Sequence, residues 1–345
     1  MSVAEIARLR QMVEIYSPSK HEDAIGQFLV DEMQRLGFRA FRDEAGNAIG
    51  EVGDGQRTIV LLGHMDTVSG QIAVREVDGI LYGRGAVDAK GPLATFISAA
   101  ARSGPPADAR LVIVGAVEEE GHSAGARAIR ERYRPDFTVI GEPSGWEHIT
   151  LGYKGSMYFT YSLAGDNAHT AGASASAPET AVAFWNALVQ WAEGFNQDGE
   201  RLFDMVTPSL VSINSANDGL ADTVSMGVNV RWPLDLDADR FTQMLRELAG
   251  AAEIRIDSFE VPYRGEKNTP LTSAFLRSIR QNGGQPRFKV KTGTSDMNVV
   301  GPAWNCPIVA YGPGDSQLDH TPNEHIALDE YLKAIDVLAG VLKTL

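Results

Sequence analysis

Cysteine is nearly absent from this sequence, with only Cys306 among 345 residues. An internal disulfide needs two cysteines, and zinc ribbons and iron–sulfur clusters need several, so all of these are excluded. Any metal that the chain binds would therefore be held by histidine, aspartate and glutamate side chains.

Long apolar runs and an excess of positive charge are also missing. No run reaches the roughly 18 apolar residues of a membrane span, so we expect none. The chain has 31 Lys and Arg against 45 Asp and Glu, a formal net charge of -14. This charge argues against a general binder of nucleic acid or of anionic membranes. No basic and apolar leader precedes the first helix-like residues, which makes the cytoplasm the expected location.

Short apolar runs alternate with helical segments in much of the chain. Four runs are typical of strands buried on both faces, as in a parallel sheet. They span 58–62, 111–117, 137–140 and 307–310. Helical segments at 89–102 and 124–132 lie between them, which indicates an α/β sheet covered by helices. Near the N-terminus, Ser19-Lys20-His21-Glu22 has the pattern of a capping box that begins a helix.

The middle of the chain has a different order of elements. Strand-like segments lie at 157–163, 208–214, 223–232 and 253–261, and helix-like segments at 178–193 and 237–249. The order βαββαβ is the split βαβ pattern of ferredoxin-like domains. We therefore predict one domain made of residues 1–151 and 259–345, with a second domain, 152–258, inserted into it.

Polar clusters follow the apolar runs, at the strand ends where open α/β sheets carry their sites. The candidate side chains are His64, Asp66, Asp88, Glu118, Glu119, Glu120, Glu142 and His320. Each alone has an ordinary explanation, such as a helix cap for Asp88, but their shared position favours a site. Two histidines with several carboxylates suit Zn²⁺ or a pair of divalent ions. Asp88 could bridge two ions, one glutamate of the triplet could be a base, and Asp66 could orient His64.

These segments together resemble the co-catalytic zinc amidohydrolases, the family that includes DapE, ArgE, aminoacylase and carboxypeptidase G. The matching motifs are Gly63-His64-Met65-Asp66-Thr67-Val68, Gly83-Arg84-Gly85-Ala86-Val87-Asp88-Ala89-Lys90-Gly91, Glu118-Glu119-Glu120-Gly121, Gly141-Glu142-Pro143 and His320-Thr321-Pro322-Asn323-Glu324. The resemblance implies a zinc-peptidase-like mixed sheet flanked by helices. It also implies that the inserted βαββαβ domain is a lid through which two chains form a homodimer.

The resemblance further implies two Zn²⁺ ions, with Co²⁺ as a substitute. His64 and Glu142 would bind one ion, Glu120 and His320 the other, and Asp88 would bridge both, with a cis peptide bond to Ala89.

The general base implied by the resemblance is Glu119. The family's usual Asp-Glu-Glu is Glu-Glu-Glu here, which leaves the register of the triplet open by one residue. Gly125-Ala126-Arg127 favours the alignment with the base at Glu119 and the ligand at Glu120.

Three further sites are implied outside the metal ligands. His169, in Gly165-Asp166-Asn167-Ala168-His169, resembles the family's histidine that reaches a partner subunit's active site and stabilises the oxyanion. Arg231 matches an arginine that binds the substrate's carboxylate. Gly293, Thr294 and Ser295 match a glycine-rich substrate loop.

The substrate is indicated by the segments 141–146 and 149–155, which resemble those of the family members that release lysine or ornithine from the acidic amino-group carrier protein LysW. This amide hydrolysis belongs to lysine biosynthesis. Acetylornithine deacetylase, succinyl-diaminopimelate desuccinylase and dipeptidase activities stay open as alternatives. A non-catalytic amino-acid-binding protein is a further alternative, against which the intact Glu119 argues.

A basic stripe supports a substrate carried on an acidic protein. Arg287, Lys289 and Lys291 alternate with apolar residues, so at strand spacing they share one face. We hypothesise that this stripe attracts LysW, and the alternative is a solvated edge strand protected by lysines.

Overall fold

The computed structural model describes residues 2–106, 108–167 and 174–345. Its α-helices are α1 (Ser2–Glu14), α2 (Asp23–Arg35), α3 (Lys90–Ser103), α4 (Ala124–Arg132), α5 (Ala177–Phe195), α6 (Ala238–Ala249), α7 (Pro270–Gln281), α8 (Asp296–Trp304) and α9 (Leu328–Leu342). Its strands are β1 (Arg39–Arg42), β2 (Ala48–Val52), β3 (Arg57–His64), β4 (Arg75–Val77), β5 (Ile80–Tyr82), β6 (Ala109–Ala116), β7 (Phe137–Gly141), β8 (His148–Tyr153), β9 (Gly155–Asp166), β10 (Thr207–Asn217), β11 (Ala221–Trp232), β12 (Glu253–Glu260), β13 (Tyr263–Arg264), β14 (Arg287–Lys291), β15 (Ile308–Ala310) and β16 (His325–Ala327). Among these helices, none is both long enough and apolar enough to cross a membrane.

The largest sheet has nine strands in the order β1-β2-β6-β3-β7-β15-β8-β13, with β14 paired to β8. The four apolar runs of the sequence form its centre, because β3 pairs in parallel with β6 and β7, and β15 pairs in parallel with β7. The neighbouring pairs β2–β6 and β15–β8 are antiparallel, so the sheet is mixed. The predicted α/β class is confirmed.

The helices α3 and α9 pack together beside this sheet. α3 is buried from Lys90 to Ala100, because α9 contacts it and the strands β3, β6 and β7 also contact it. Large apolar side chains such as Phe96 and Leu338 lie in this core, and each fully buried one contributes about 1.5–3 kcal/mol to folding. This packing fixes the start of α3, which follows directly on the Asp88 motif.

The capping box predicted at residues 19–22 is wrong. The helix α2 begins at Asp23, and its N-cap residue Glu22 makes no side-chain capping bond. The Ser19 hydroxyl instead donates to Asp66 Oδ2 over 2.7 Å. A contact between residues 47 positions apart outweighs the local pattern, and it gives Ser19 a place in the site described below.

The described chain divides into two compact units, one formed by Met1–Gly152, Arg264–Val290 and Ser295–Leu345, the other by Tyr153–Tyr263 and Lys291–Thr294. The second unit has the predicted βαββαβ order, and its sheet runs β10-β11-β9-β12 with antiparallel pairing throughout. The helices α5 and α6 complete its own apolar core, which includes Phe159, Phe184 and Phe241. The assignment of this unit as a lid stays a prediction.

Candidate metal centre

The candidate ligands lie where buried strands of the first unit end. His64 is the last residue of β3, Glu142 follows β7, and Glu120 lies in the loop after β6. Because these three strands are parallel neighbours, their carboxyl ends meet at one sheet edge. Asp88 lies just before α3, and His320 lies in the loop after β15.

Two groups of three potential ligands form at this edge, and they share one residue. The ligand atoms of His64, Asp88 and Glu142 lie within 4.8 Å of one another, and so do those of Asp88, Glu120 and His320. Asp88 Oδ1 is 3.2 Å from His64 Nε2, whereas Asp88 Oδ2 is 3.1 Å from His320 Nε2. Asp88 therefore presents one oxygen to each group, which is the arrangement of a bridging carboxylate.

The backbone around Asp88 is unusual. The peptide bond between Asp88 and Ala89 is cis, which confirms the sequence-based expectation. Gly91 is required here because a Cβ at that position would lie 2.4 Å from the Ala86 carbonyl oxygen. On the other side of the site, His320 has a φ of 61°, a conformation uncommon for a residue with a side chain.

Asp66 connects His64 to the glutamate triplet. Its Oδ1 accepts from the backbone N–H of Glu119 and its Oδ2 from that of Glu120, each over 3.1 Å. The same carboxylate lies 3.4 Å from His64 Nδ1, which also lies 3.0 Å from the Asp66 carbonyl oxygen. Fixing Nδ1 in this way leaves His64 Nε2 directed at Asp88, as a ligand nitrogen requires.

The electrostatics of the site favour positive charge between the carboxylates. Hydrogen bonds to Asp88 and Glu120 raise the pKa of His320 to about 10. Burial by itself would lower the pKa of His64, but its bonds to Asp66 and Asp88 outweigh burial and the pKa is raised. Burial opposes ionisation of Asp88 as well, yet bonds to His320 and His64 lower its pKa. Such a site is suited to cations.

Glu119 differs from the other carboxylates of the site. Burial raises its pKa well above the ordinary value, and the charges of Glu142, Asp296 and Glu120 act in the same direction, against the opposing effect of His64. Its neighbour Glu118 has a φ of 57° and donates its backbone N–H to Glu22 Oε1 over 3.1 Å. Glu120, and not Glu119, belongs to a ligand group.

The predicted substrate residues lie in several places. Arg231, on β11 of the second unit, donates from Nη1 to Thr294 Oγ1 over 3.1 Å, so this pair of predicted residues is in contact. Gly293 precedes Thr294, and Ser295 is the N-cap of α8, where its Oγ accepts from the Met297 N–H. His169 lies outside the described residues.

Four supporting residues were missed by the sequence analysis. Ser19 donates to the Asp66 carboxylate, and Glu22 accepts from the backbone N–H of Glu118. Arg84 and Glu324 form an ion pair, and Glu324 also accepts from the backbone N–H of Asp88. Glu324 and Arg84 were within recognised motifs but had no role assigned. The signal that could have found these two is a charged residue inside a ligand motif, four residues from the candidate ligand Asp88 or His320.

Comparison with known proteins identifies the family of this chain. Peptidase family M20/M25/M40 matches residues 60–344, and the chain belongs to this hydrolase family. The LysW-lysine hydrolase of Deinococcus radiodurans is 46% identical over 353 residues, covering 99% of this chain and 98% of that protein. A relative from Thermococcus kodakarensis, provisionally named as a LysW-lysine/LysW-ornithine hydrolase, is 41% identical over 100% of this chain and 93% of its own.

Solved structures share the fold at low sequence identity. A tripeptidase from Staphylococcus aureus superposes with a TM-score of 0.79 at 18% identity, over 99% of this chain and 98% of that one. A dinuclear metal binding peptidase of the M20 family from Bacillus subtilis has a TM-score of 0.76 at 14% identity, over 99% and 97% of the two chains. The predicted fold, a mixed sheet with helices and an additional βαββαβ unit, is thus that of this family.

Proposed function

We propose that this chain is a dinuclear metal hydrolase that releases lysine or ornithine from the carrier protein LysW by cleaving an amide bond, in lysine biosynthesis. The observation that carries the metal-dependent chemistry is the Asp88 carboxylate, which presents one oxygen to each ligand group. The substrate is supported by the names of relatives that match nearly the full chain at 46% and 41% identity.

The ligand set fits two Zn²⁺ ions, and Co²⁺ as a substitute. Imidazole and carboxylate are ligands that Zn²⁺ accepts, and each group offers three of them within 4.8 Å of one another. His64 and Glu142 would hold one ion, Glu120 and His320 the other, and Asp88 would bind both. When bound, such ions polarise a carbonyl and lower the pKa of water.

The protein's own groups divide the remaining work. Glu119 would take the proton of the attacking water and later give a proton to the leaving amine. Asp66 would keep His64 oriented through Nδ1. Arg231 would bind the carboxylate of the amino acid, for which a planar guanidinium is suited, and the loop Gly293–Ser295 would contact the substrate beside it. His169 would stabilise the oxyanion from a partner subunit.

A substrate panel tests the acyl donor. We expect kcat/KM for LysW-linked lysine or ornithine to exceed that for N-acetyl-lysine, N-acetylornithine, N-succinyl-diaminopimelate and dipeptides by about 100-fold, as recognition of a remote group adds binding energy to the transition state. Purified enzyme reconstituted with Zn²⁺ would be assayed for each released amine. A free acetyl or succinyl amino acid cleaved as well as the carrier-linked substrate would favour the alternatives of the same family.

The basic stripe contributes to carrier recognition mainly through Arg287. Arg287 is exposed and forms no ion pair with the described residues, whereas Lys289 Nζ donates to the Ser144 carbonyl over 3.0 Å. Lys291 is half-buried, with Nζ 5.9 Å from the Tyr153 ring centroid. Arg287 is therefore the position at which charge can be changed without disturbing the loop after Glu142.

Charge reversal at Arg287 provides the test. Arg287→Glu is expected to lower kcat/KM for LysW-linked lysine about tenfold at low salt, because attraction of a charged partner accelerates association. Activity on N-acetyl-lysine and the low-salt effect of Arg134→Glu serve as controls, since Arg134 is exposed and precedes β7, at the strand end opposite Glu142. Unchanged kcat/KM for the carrier substrate in Arg287→Glu contradicts the role of the stripe.

We also propose a homodimer through the second unit. Residues 209–217 of β10, an edge strand of its sheet, are exposed, including Leu210, Val211 and Ile213 at 38%, 58% and 46%. An exposed apolar edge strand is suited to pairing with a second copy.

Placing a charge on this edge should separate the two chains. Val211→Lys is expected to give a monomer in sedimentation experiments, because a lysine on an edge strand opposes strand pairing. Leu234→Lys, at a 42% exposed apolar residue of the same unit outside β10, should leave the dimer intact. A monomeric wild-type protein, or a dimeric Val211→Lys variant, would rule out this interface.

A further inference from the structure

Glu324 is a fully buried carboxylate whose oxygens are both engaged. Oε1 accepts from the backbone N–H groups of Val87 and Asp88 over 2.9 and 3.1 Å. Oε2 accepts from Arg84 Nη1 over 2.8 Å, and Arg84 is itself anchored by a bond from Nε to the Gly70 carbonyl. With 0% exposure and its oxygens occupied by these donors, Glu324 is a support of the site and not another ligand.

The same residue joins the two segments that carry Asp88 and His320. Glu324 comes four residues after His320 and directly before β16, and β16 pairs with β5, which leads into the Asp88 segment. The Gly83 N–H donates to the Glu324 carbonyl oxygen over 3.2 Å. Side chain and backbone of one residue therefore fix the spacing of segments that are far apart in sequence.

We propose that Glu324, paired with Arg84, is a positioning residue that holds Asp88 and His320 in the geometry needed to bind both metal ions. This inference rests on the proposed dinuclear site. The negative charge is needed as well as the shape, because the carboxylate balances a buried guanidinium while accepting from the Asp88 backbone. Partners that orient ligands in this way affect metal affinity by about 10- to 100-fold.

The test is a titration of metal-free protein with Co²⁺, in which binding is measured by calorimetry and by visible absorption. Glu324→Gln keeps the size of the side chain and removes its charge, and it is expected to weaken Co²⁺ binding by about 10- to 100-fold. Glu51→Gln is the matched control, because Glu51 is 7% exposed and bonds to Tyr133 and Arg39, outside both ligand groups. Glu51→Gln should bind Co²⁺ like the wild type, even if its thermal stability falls by as much as that of Glu324→Gln.

Glu324→Asp keeps the charge but shortens the side chain, and it provides a second variant if Glu324→Gln does not fold. We expect Glu324→Asp to bind Co²⁺ more weakly than the wild type and, where both fold, more tightly than Glu324→Gln. Wild-type affinity in a folded Glu324 variant, or an equal loss in Glu51→Gln, overturns the inference. A wild-type protein that binds no Co²⁺ overturns the metal site itself, which is a different result from intact binding in the variants.

Discussion

Replacing Glu119 with glutamine will reduce kcat by about 10²- to 10⁴-fold, the range contributed by a positioned general acid–base group. Glutamine keeps the size of the side chain but cannot accept a proton from water. Because Glu119 belongs to neither ligand group, the variant should bind the same two equivalents of metal as the wild type. Single-turnover kinetics with LysW-linked lysine, together with metal analysis of the purified variant, would measure both quantities.

The neighbouring residue provides the matched control for this variant. Glu118 is tied to the site through its backbone N–H and belongs to neither group, so Glu118→Gln should retain most of the activity. If Glu118→Gln instead loses activity and Glu119→Gln does not, the assignment within the triplet is shifted by one residue. If both variants are fully active, no residue of this pair is the base.

Replacing Asp88 with asparagine will weaken binding at both metal positions and lower kcat/KM by about three orders of magnitude or more. Lewis-acid stabilisation by bound ions is worth several kcal/mol, and each ~1.4 kcal/mol corresponds to a factor of ten in rate. Asparagine keeps one oxygen acceptor but loses the charge that the two groups share. Isothermal titration with Zn²⁺ and the steady-state rate would report the two effects.

A variant of a ligand that belongs to only one group distinguishes a bridging role from binding of a single ion. Glu142→Gln should weaken one binding event and leave the second, since Glu142 appears only in the group with His64. An Asp88→Asn variant that keeps two ions at wild-type affinity would contradict the bridging role.

The sequence predicted the centre of the fold because that information is local. Runs such as 58–62 are apolar over their whole length, and such runs form the parallel strands β3 and β6, buried throughout most of their lengths. Short strands such as β4 and β5 were not predicted, since three residues carry too little periodicity to be distinguished from loop.

The sequence motifs predicted the candidate ligands but not the residues that hold those ligands in place. His64, Asp88 and Glu120 lie in motifs whose positions after apolar runs indicated a shared edge, and the cis bond after Asp88 followed from the resemblance. Ser19 shows the limit, since its local pattern predicts a helix cap whereas its hydroxyl bonds to Asp66. Contacts between residues so far apart in the sequence depend on the tertiary fold, which the local sequence of one segment does not determine.

The four hydrogen-bond donors around Asp66 distinguish its protonation from that of Glu119. A carboxylate has about four acceptor positions, and those of Asp66 face Ser19, His64 and the N–H groups of Glu119 and Glu120. Burial acts to raise the pKa of Asp66, but the bonds to His64, Ser19 and the Glu119 N–H outweigh it and lower the pKa, whereas burial raises the pKa of Glu119. The surroundings of Asp66 thus stabilise its charged form, whereas those of Glu119, the proposed base, favour uptake of a proton.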